Sequence, residues 1–66
     1  MMRLTVNGDS MEYKGRPRLA DLLATIAPGR RVAVLVNAAV VRADARAEFE
    51  LHAGDRIEIL EFAGGG

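Results

Sequence analysis

The sequence contains no cysteine and no tryptophan, and among its 66 residues are only two prolines, two phenylalanines and one tyrosine. Without cysteine the chain has neither a disulfide nor a thiolate metal ligand, so packing alone must stabilise the fold. Neither sign of charge is in excess, since 9 basic residues balance 9 acidic ones. This balance argues against nucleic acid or an anionic membrane as a partner, because both attract a basic excess.

Long hydrophobic runs are also lacking, and the start of the sequence has no apolar segment of the signal-peptide kind. We therefore expect a cytoplasmic protein. A chain of 66 residues predicts one small domain, which we expect to be monomeric when free. Half of the residues are hydrophobic, which is enough to form one core.

The first half of the chain predicts a hairpin followed by a helix. Met2–Val6 alternates apolar and polar residues, as a half-buried strand does, and residues 10–14 form the predicted return strand. Asn7-Gly8 between them is typical of a type I′ turn, in which both central residues need positive φ. The apolar residues that follow lie on one helical face, namely Leu19, Leu22, Leu23 and Ile26.

The C-terminus of this predicted helix has a clear sequence signal, whereas its N-terminus lacks one. Pro28-Gly29 is a strong stop signal. Arg18 occupies the N-cap position without a short side-chain oxygen that could accept a hydrogen bond from the first turn. The start of the helix is therefore predicted to be a weak point of the fold.

The second half of the chain predicts further strands. Val32–Val36 is a continuous apolar run, typical of a strand that is central or covered on both faces. Val40 and Val41 suggest a short extended piece, residues 42–46 a loop, and residues 47–51 an alternating strand. The last predicted strand spans residues 56–62 and divides its apolar side chains between two faces, with Ile57 and Ile59 on one and Leu60 and Phe62 on the other.

This order of elements predicts an α+β fold of the β-grasp, or ubiquitin-like, kind. One helix would pack across a mixed sheet of four to five strands, with the first and last strands side by side. The predicted core is Leu4, Val6, Leu19, Leu22, Leu23, Ile26, Val34, Val36, Phe49, Leu51, Ile57 and Ile59. The domain is predicted to span residues 1–63 and to carry residues 64–66 as a flexible tail.

The tail consists of Gly64, Gly65 and Gly66, which have no side chain that could pack or react. Its functional group is the α-carboxylate of Gly66, which three extended glycines carry roughly 10–13 Å beyond the domain. We interpret the tail as an arm that enters another protein's active site, although a flexible end without function is the alternative. Leu60 and Phe62, on the outer face beside it, are predicted to dock a partner.

No catalytic residue and no metal ligand emerges from the sequence. His52 lies in a predicted turn without an acid at ligand spacing, so a solvated surface position is expected. There is no glycine-rich phosphate loop and no nucleophile–base pair.

The chain resembles the thiamin-type sulfur carrier proteins along its whole length. The matching motifs are Leu4-Thr5-Val6-Asn7-Gly8, Leu19-Ala20-Asp21-Leu22-Leu23, Val32-Ala33-Val34-Leu35-Val36-Asn37, Gly54-Asp55-Arg56-Ile57-Glu58-Ile59 and Phe62-Ala63-Gly64-Gly65-Gly66. Arg18 departs from the Thr or Ser cap that is usual in this family, which bears on stability more than on function.

The resemblance implies a carrier and co-substrate rather than an enzyme, with no bound cofactor. A ThiF-like adenylyltransferase would consume ATP to activate the Gly66 carboxylate as an acyl-adenylate. Sulfur drawn from cysteine through a cysteine desulfurase would replace AMP and leave a thiocarboxylate. A ThiG-like thiazole synthase would take this sulfur for the thiazole of thiamin. Gly64 and Gly65 would thread the narrow channel to the activating site.

Three alternatives remain at this level. The small subunit of molybdopterin synthase shares the fold, the tail and the chemistry, although those chains usually run longer. A ubiquitin-like modifier would instead join Gly66 to a lysine through an isopeptide bond. A β-grasp binding module for nucleotides or RNA would not need a glycine end, and the neutral charge disfavours RNA.

Overall fold

The computed structural model describes residues 1–62, so the predicted tail residues Gly64, Gly65 and Gly66 lie outside the described part of the chain. Five strands and one α-helix form the domain. They are β1 (Met2–Val6), β2 (Asp9–Tyr13), α1 (Leu19–Ile26), β3 (Val32–Val36), β4 (Ala39–Val40) and β5 (Arg56–Glu61). A short 3₁₀ helix covers Ala43–Ala45, within the segment that was predicted to be a loop.

The strands form one mixed sheet in the order β2-β1-β5-β3-β4. β1 and β5, the first and last strands, pair in parallel, with Thr5 opposite Arg56, while β3 runs antiparallel to β5 and to β4. One face of the sheet carries α1 and the core. The predicted β-grasp fold is therefore confirmed, with five strands.

The hairpin between β1 and β2 has the predicted turn. Asn7 has a φ of 49° and Gly8 a φ of 87°, as a type I′ turn requires. β2 occupies Asp9–Tyr13, so it begins and ends one residue earlier than predicted. The side chain of Tyr13, at the end of β2, lies in the core, where it is 3% exposed.

The core agrees with the prediction in most positions. Eight of the predicted residues are buried, namely Leu4, Leu19, Leu22, Leu23, Val34, Val36, Leu51 and Ile57. The other four pack against this cluster as half-buried residues, namely Val6, Ile26, Phe49 and Ile59. Three further buried residues were not predicted, namely Tyr13, Val32 and Val41.

The predicted strand over residues 47–51 is wrong. This segment makes a single antiparallel β-bridge, between Glu50 and Arg18. Its backbone makes hydrogen bonds with the start of α1 and with the residues before α1. For example, the N–H of Leu51 donates to the Pro17 carbonyl at 2.9 Å. Phe49 and Leu51 still lie inward as predicted. Their side chains pack in the core although the backbone has no neighbouring strand.

Candidate functional site

The candidate site lies where β5 ends, because this strand leads directly to the glycines. Ile57 and Ile59 point toward the helix side of the sheet, and Leu60 occupies the opposite face. Leu60 is 58% exposed and Phe62 is 60% exposed, as predicted for residues that do not hold the core together. Strand alternation places both side chains on the face of the sheet that α1 does not cover.

Both neighbouring strands hold the end of β5 in place. On one side, the Asn7 side chain acts like one more residue of β1: its Oδ1 accepts from the Ile59 N–H at 2.7 Å and its Nδ2 donates to the Ile59 carbonyl at 3.2 Å. On the other side, the Phe62 N–H donates to the Arg31 carbonyl at 3.1 Å. The backbone is therefore anchored as far as Phe62, four residues before Gly66.

Apolar residues on β3 and β4 extend the exposed surface around Leu60. Ala33 lies opposite Leu60, and Leu35 lies opposite Val40, which is 70% exposed. Cross-strand partners share one face of a sheet, so all of them lie on the uncovered side. We call Ala33, Leu35, Val40, Leu60 and Phe62 the open-face patch.

The contribution of β3 and β4 to this patch was not predicted from the sequence. The apolar run predicted a strand that is central or covered on both faces, and β3 is central, between β5 and β4. However, α1 covers only one of its faces. The signal was present in Val32–Val36, because Ala33 and Leu35 alternate with the buried valines. Apolar residues on a face that the domain leaves open are typical of a surface that binds another protein.

Polar groups border the patch. A cleft of about 300 Å³ beside Leu60 is lined by Thr5, Asn7, Arg56 and Glu58, among others. The backbone of Arg56 is anchored by Asn37, because the Arg56 N–H donates to the Asn37 Oδ1 at 3.0 Å. An apolar centre with a charged and polar rim is the usual composition of a protein contact.

The histidine and acidic side chains of the described residues form no metal-binding cluster. Within residues 1–62, no three histidine, aspartate or glutamate side chains group closely enough to hold a metal ion. His52 is exposed, and its backbone N–H donates to the Asp55 carboxylate at 2.8 Å. Glu58 is exposed, and Glu61 pairs with Arg30 at 2.9 Å.

The phenol of Tyr13 has a structural setting rather than a catalytic one. Burial, and to a smaller extent the nearby carboxylate of Asp21, raise its pKa above the ordinary tyrosine value. Its hydroxyl donates to the Arg16 carbonyl at 2.7 Å and so anchors the chain before α1.

No helix within residues 1–62 is long and apolar enough to cross a membrane.

Comparison with known proteins points to a single family. Residues 4–66 match the profile of the ThiS family. The fold is similar to the crystal structure of thiamine biosynthesis protein ThiS from Geobacter metallireducens, with a TM-score of 0.80, 33% identity, and coverage of 98% of this chain and 100% of that chain.

A second solved structure supports the same assignment. The solution structure of a thiamine biosynthesis protein from Geobacter metallireducens has a TM-score of 0.76 and 33% identity, with coverage of 98% of this chain and 88% of that chain. A comparison with curated proteins found no match. The family match and the likeness to a solved ThiS structure agree over nearly the whole chain, and the chain therefore belongs to the ThiS family.

Proposed function

We propose that this chain is a sulfur carrier for thiamin biosynthesis and that Gly66 carries the sulfur as a thiocarboxylate. The observation that carries the proposal is the match to a thiamine biosynthesis protein over 98% of this chain and 100% of the other. The family match runs through residue 66 and so includes the three glycines.

The chemistry requires a partner that supplies the catalytic groups. A carboxylate does not exchange oxygen for sulfur by itself, so the Gly66 carboxylate first attacks the α-phosphorus of ATP and displaces pyrophosphate. A persulfide sulfur, drawn from cysteine by a cysteine desulfurase, then attacks the acyl-adenylate and displaces AMP. Reductive cleavage of the resulting acyl disulfide by a thiol leaves the thiocarboxylate. The chain is the substrate in each step, and the partner enzymes supply the catalytic groups.

The open-face patch provides the docking surface in this proposal. Leu60 lies on β5 and Phe62 directly follows it, on the way to the glycines, so a partner bound to them would hold the arm near its own active site. The ThiF-like adenylyltransferase and the ThiG-like thiazole synthase need the same tail at different times. We therefore propose that both use the patch, one after the other.

The three glycines suit an arm of this kind. A glycine has no Cβ, so Gly64 and Gly65 can pass through a channel that excludes side chains. The carbonyl of Gly66 is likewise open to attack. ATP belongs to the adenylyltransferase, and the chain itself needs no bound cofactor in this scheme.

Sulfur transfer from the loaded protein tests the assignment to thiamin. Thiocarboxylated protein is incubated with thiazole synthase and its small-molecule substrates, and with the large subunit of molybdopterin synthase and its precursor in a parallel reaction. We expect formation of the thiazole in the first reaction and no molybdopterin in the second. Molybdopterin without thiazole would assign the chain to the alternative pathway, and an isopeptide-linked ladder on a denaturing gel would indicate a protein modifier.

A further inference from the structure

An ion pair joins the end of β5 to the loop that precedes β3. The Arg30 Nη1 lies 2.9 Å from the Glu61 Oε1, and the two side chains are 59% and 54% exposed. Glu61 is the last residue of β5, so this contact lies at the base of the arm. Residue 31 adds a second contact there, because its carbonyl accepts the Phe62 N–H at 3.1 Å.

Arg30 is itself fixed by the end of α1. Its N–H donates to the Ala27 carbonyl at 3.3 Å, and Gly29 turns the chain with a φ of 71°. The left-handed φ suits glycine, which has no Cβ to strain. After the helix, Arg30 thus contacts Glu61, and the next residue along the chain contacts Phe62.

The pair lies on the helix side of the sheet, opposite the open-face patch. Arg30 and Glu61 border a cleft of about 260 Å³ that is also lined by the half-buried side chains of Val6, Ile26 and Ile59. The ion pair therefore fixes the end of β5 from the helix side and leaves the open-face patch free for a partner.

We propose that Arg30 and Glu61 are positioning residues, whose ion pair fixes the end of β5 and thereby the point from which the arm is presented to the partner's active site. This inference rests on the proposed function of Gly66. Exposed ion pairs contribute little to folding stability, so the pair is not needed to hold the domain together. A small change in the direction of the arm matters far more, because a misplacement of 1 Å can cost about 100-fold in a positioned reaction.

The variants that test this role are Arg30→Ala, Arg30→Glu and the exchange of Arg30→Glu with Glu61→Arg. A second exposed pair provides a matched control, since Arg3 and Glu12 lie 3.4 Å apart with side chains 65% and 48% exposed. This control pair connects β1 to β2, at the far edge of the sheet from β3. Arg3→Ala therefore removes an ion pair of similar exposure without touching the base of the arm.

Thiocarboxylation by the adenylyltransferase and its sulfur source is measured as a function of carrier concentration. We expect Arg30→Ala to lower kcat roughly tenfold with KM nearly unchanged, because docking on the patch persists while the reacting carboxylate is misaligned. Arg30→Glu should lower kcat further, the exchanged pair should restore most of it, and Arg3→Ala should match wild type.

Hydrogen exchange gives a readout that does not depend on the chemistry. The Phe62 amide should exchange faster in Arg30→Ala, with the Ile57 amide and the melting temperature unchanged. Wild-type kcat in Arg30→Ala, or no recovery in the exchanged pair, would overturn the positioning role while leaving the carrier function intact. A rise in KM with kcat unchanged would also overturn it, because Arg30 would then bind the partner directly. Failure of wild type to accept sulfur would overturn the carrier function itself.

Discussion

The backbone N–H of Leu19 donates to the carbonyl of Phe49 at 2.9 Å, and this bond closes the start of α1. The next N–H, of Ala20, donates to the Arg46 carbonyl at 3.0 Å. The following two, at residues 21 and 22, both donate to the Arg18 carbonyl at 3.1 Å. The bond from residue 22 is the first regular helical bond, and the N–H of Arg18 itself donates to the Arg16 carbonyl at 2.8 Å. All four N–H groups that the helix start leaves open, at residues 18 to 21, are therefore satisfied by carbonyls.

This arrangement corrects the prediction that the helix start is a weak point. The Arg18 side chain makes no capping hydrogen bond, as the sequence indicated. The segment over residues 46–49 supplies the cap through its backbone, which composition and spacing do not reveal. Within residues 47–51, the Phe49 carbonyl thus serves the helix rather than a neighbouring strand.

We expect Arg18→Thr to change the free energy of unfolding by less than about 0.5 kcal/mol, at the low end of what a new cap contributes. The added hydroxyl would compete for N–H groups that already have partners. Denaturant melts of wild type, Arg18→Thr and the exposed control Arg16→Thr provide the measurement. A gain of more than about 1 kcal/mol for Arg18→Thr alone would show that the backbone cap is weak.

Much of the fold followed from the sequence because its signals are local. The alternation in β1, the apolar stripe of α1 and the apolar run of β3 each predicted an element that the structure contains. The Asn7-Gly8 turn was equally clear. The pairing of the first and last strands also followed, from the order of the elements. Individual long-range hydrogen bonds were not accessible, since Asn7 bonds to Ile59 and Phe49 bonds to Leu19 across distances in sequence that no periodicity records.

The candidate site was predicted in part. Leu60 and Phe62 followed from the alternation of the last strand, and their exposure is observed. Leu35 and Val40 join them only through the pairing of β3 with β4 and β5, and this register is a property of the sheet. The roles of Gly64, Gly65 and Gly66 remain a prediction that rests on the family.

The two phenylalanines allow a matched test of docking. Phe62 is 60% exposed, whereas Phe49 packs against the core. Phe62→Ala should weaken binding to the adenylyltransferase about tenfold and change the free energy of unfolding by less than about 0.5 kcal/mol. Phe49→Ala should lower the free energy of unfolding by about 2 kcal/mol and leave the affinity of the folded protein unchanged.

Titration calorimetry for binding and denaturant melts for stability separate the two effects. A large loss of stability in Phe62→Ala, or wild-type affinity in that variant, would place the docking surface elsewhere.

The raised pKa of Tyr13 predicts a loss of stability in alkaline solution. Below the ordinary tyrosine pKa of about 10, the phenol is neutral in the folded and unfolded states, so it contributes no pH dependence. Above that pH the unfolded state releases the proton first, and the folded state loses stability as the pH rises further.

Tyr13→Phe removes this titration, at the cost of the hydrogen bond to Arg16. The melting temperature of wild type should fall more steeply between about pH 9 and 11 than that of Tyr13→Phe. Parallel curves for the two proteins would show that the phenol ionises equally well in the folded state.

The length and slenderness of the tail are central to the account. Deleting Gly66 leaves a carboxylate on Gly65, about 3.5 Å short of its place in the activating site. Gly65→Val keeps the length but adds a β-branched side chain, which restricts φ and widens the arm. Both variants should fold like wild type and bind the adenylyltransferase with wild-type affinity, because the open-face patch is intact.

The most direct test is the intact mass of the protein after incubation with ATP, a sulfur source and the adenylyltransferase. We expect wild type to gain the difference between sulfur and oxygen, with fragmentation placing this gain on Gly66, and we expect the Gly66 deletion and Gly65→Val to stay unmodified. An unmodified wild type in the presence of a competent adenylyltransferase, or full sulfur loading of the Gly66 deletion, would contradict this expectation.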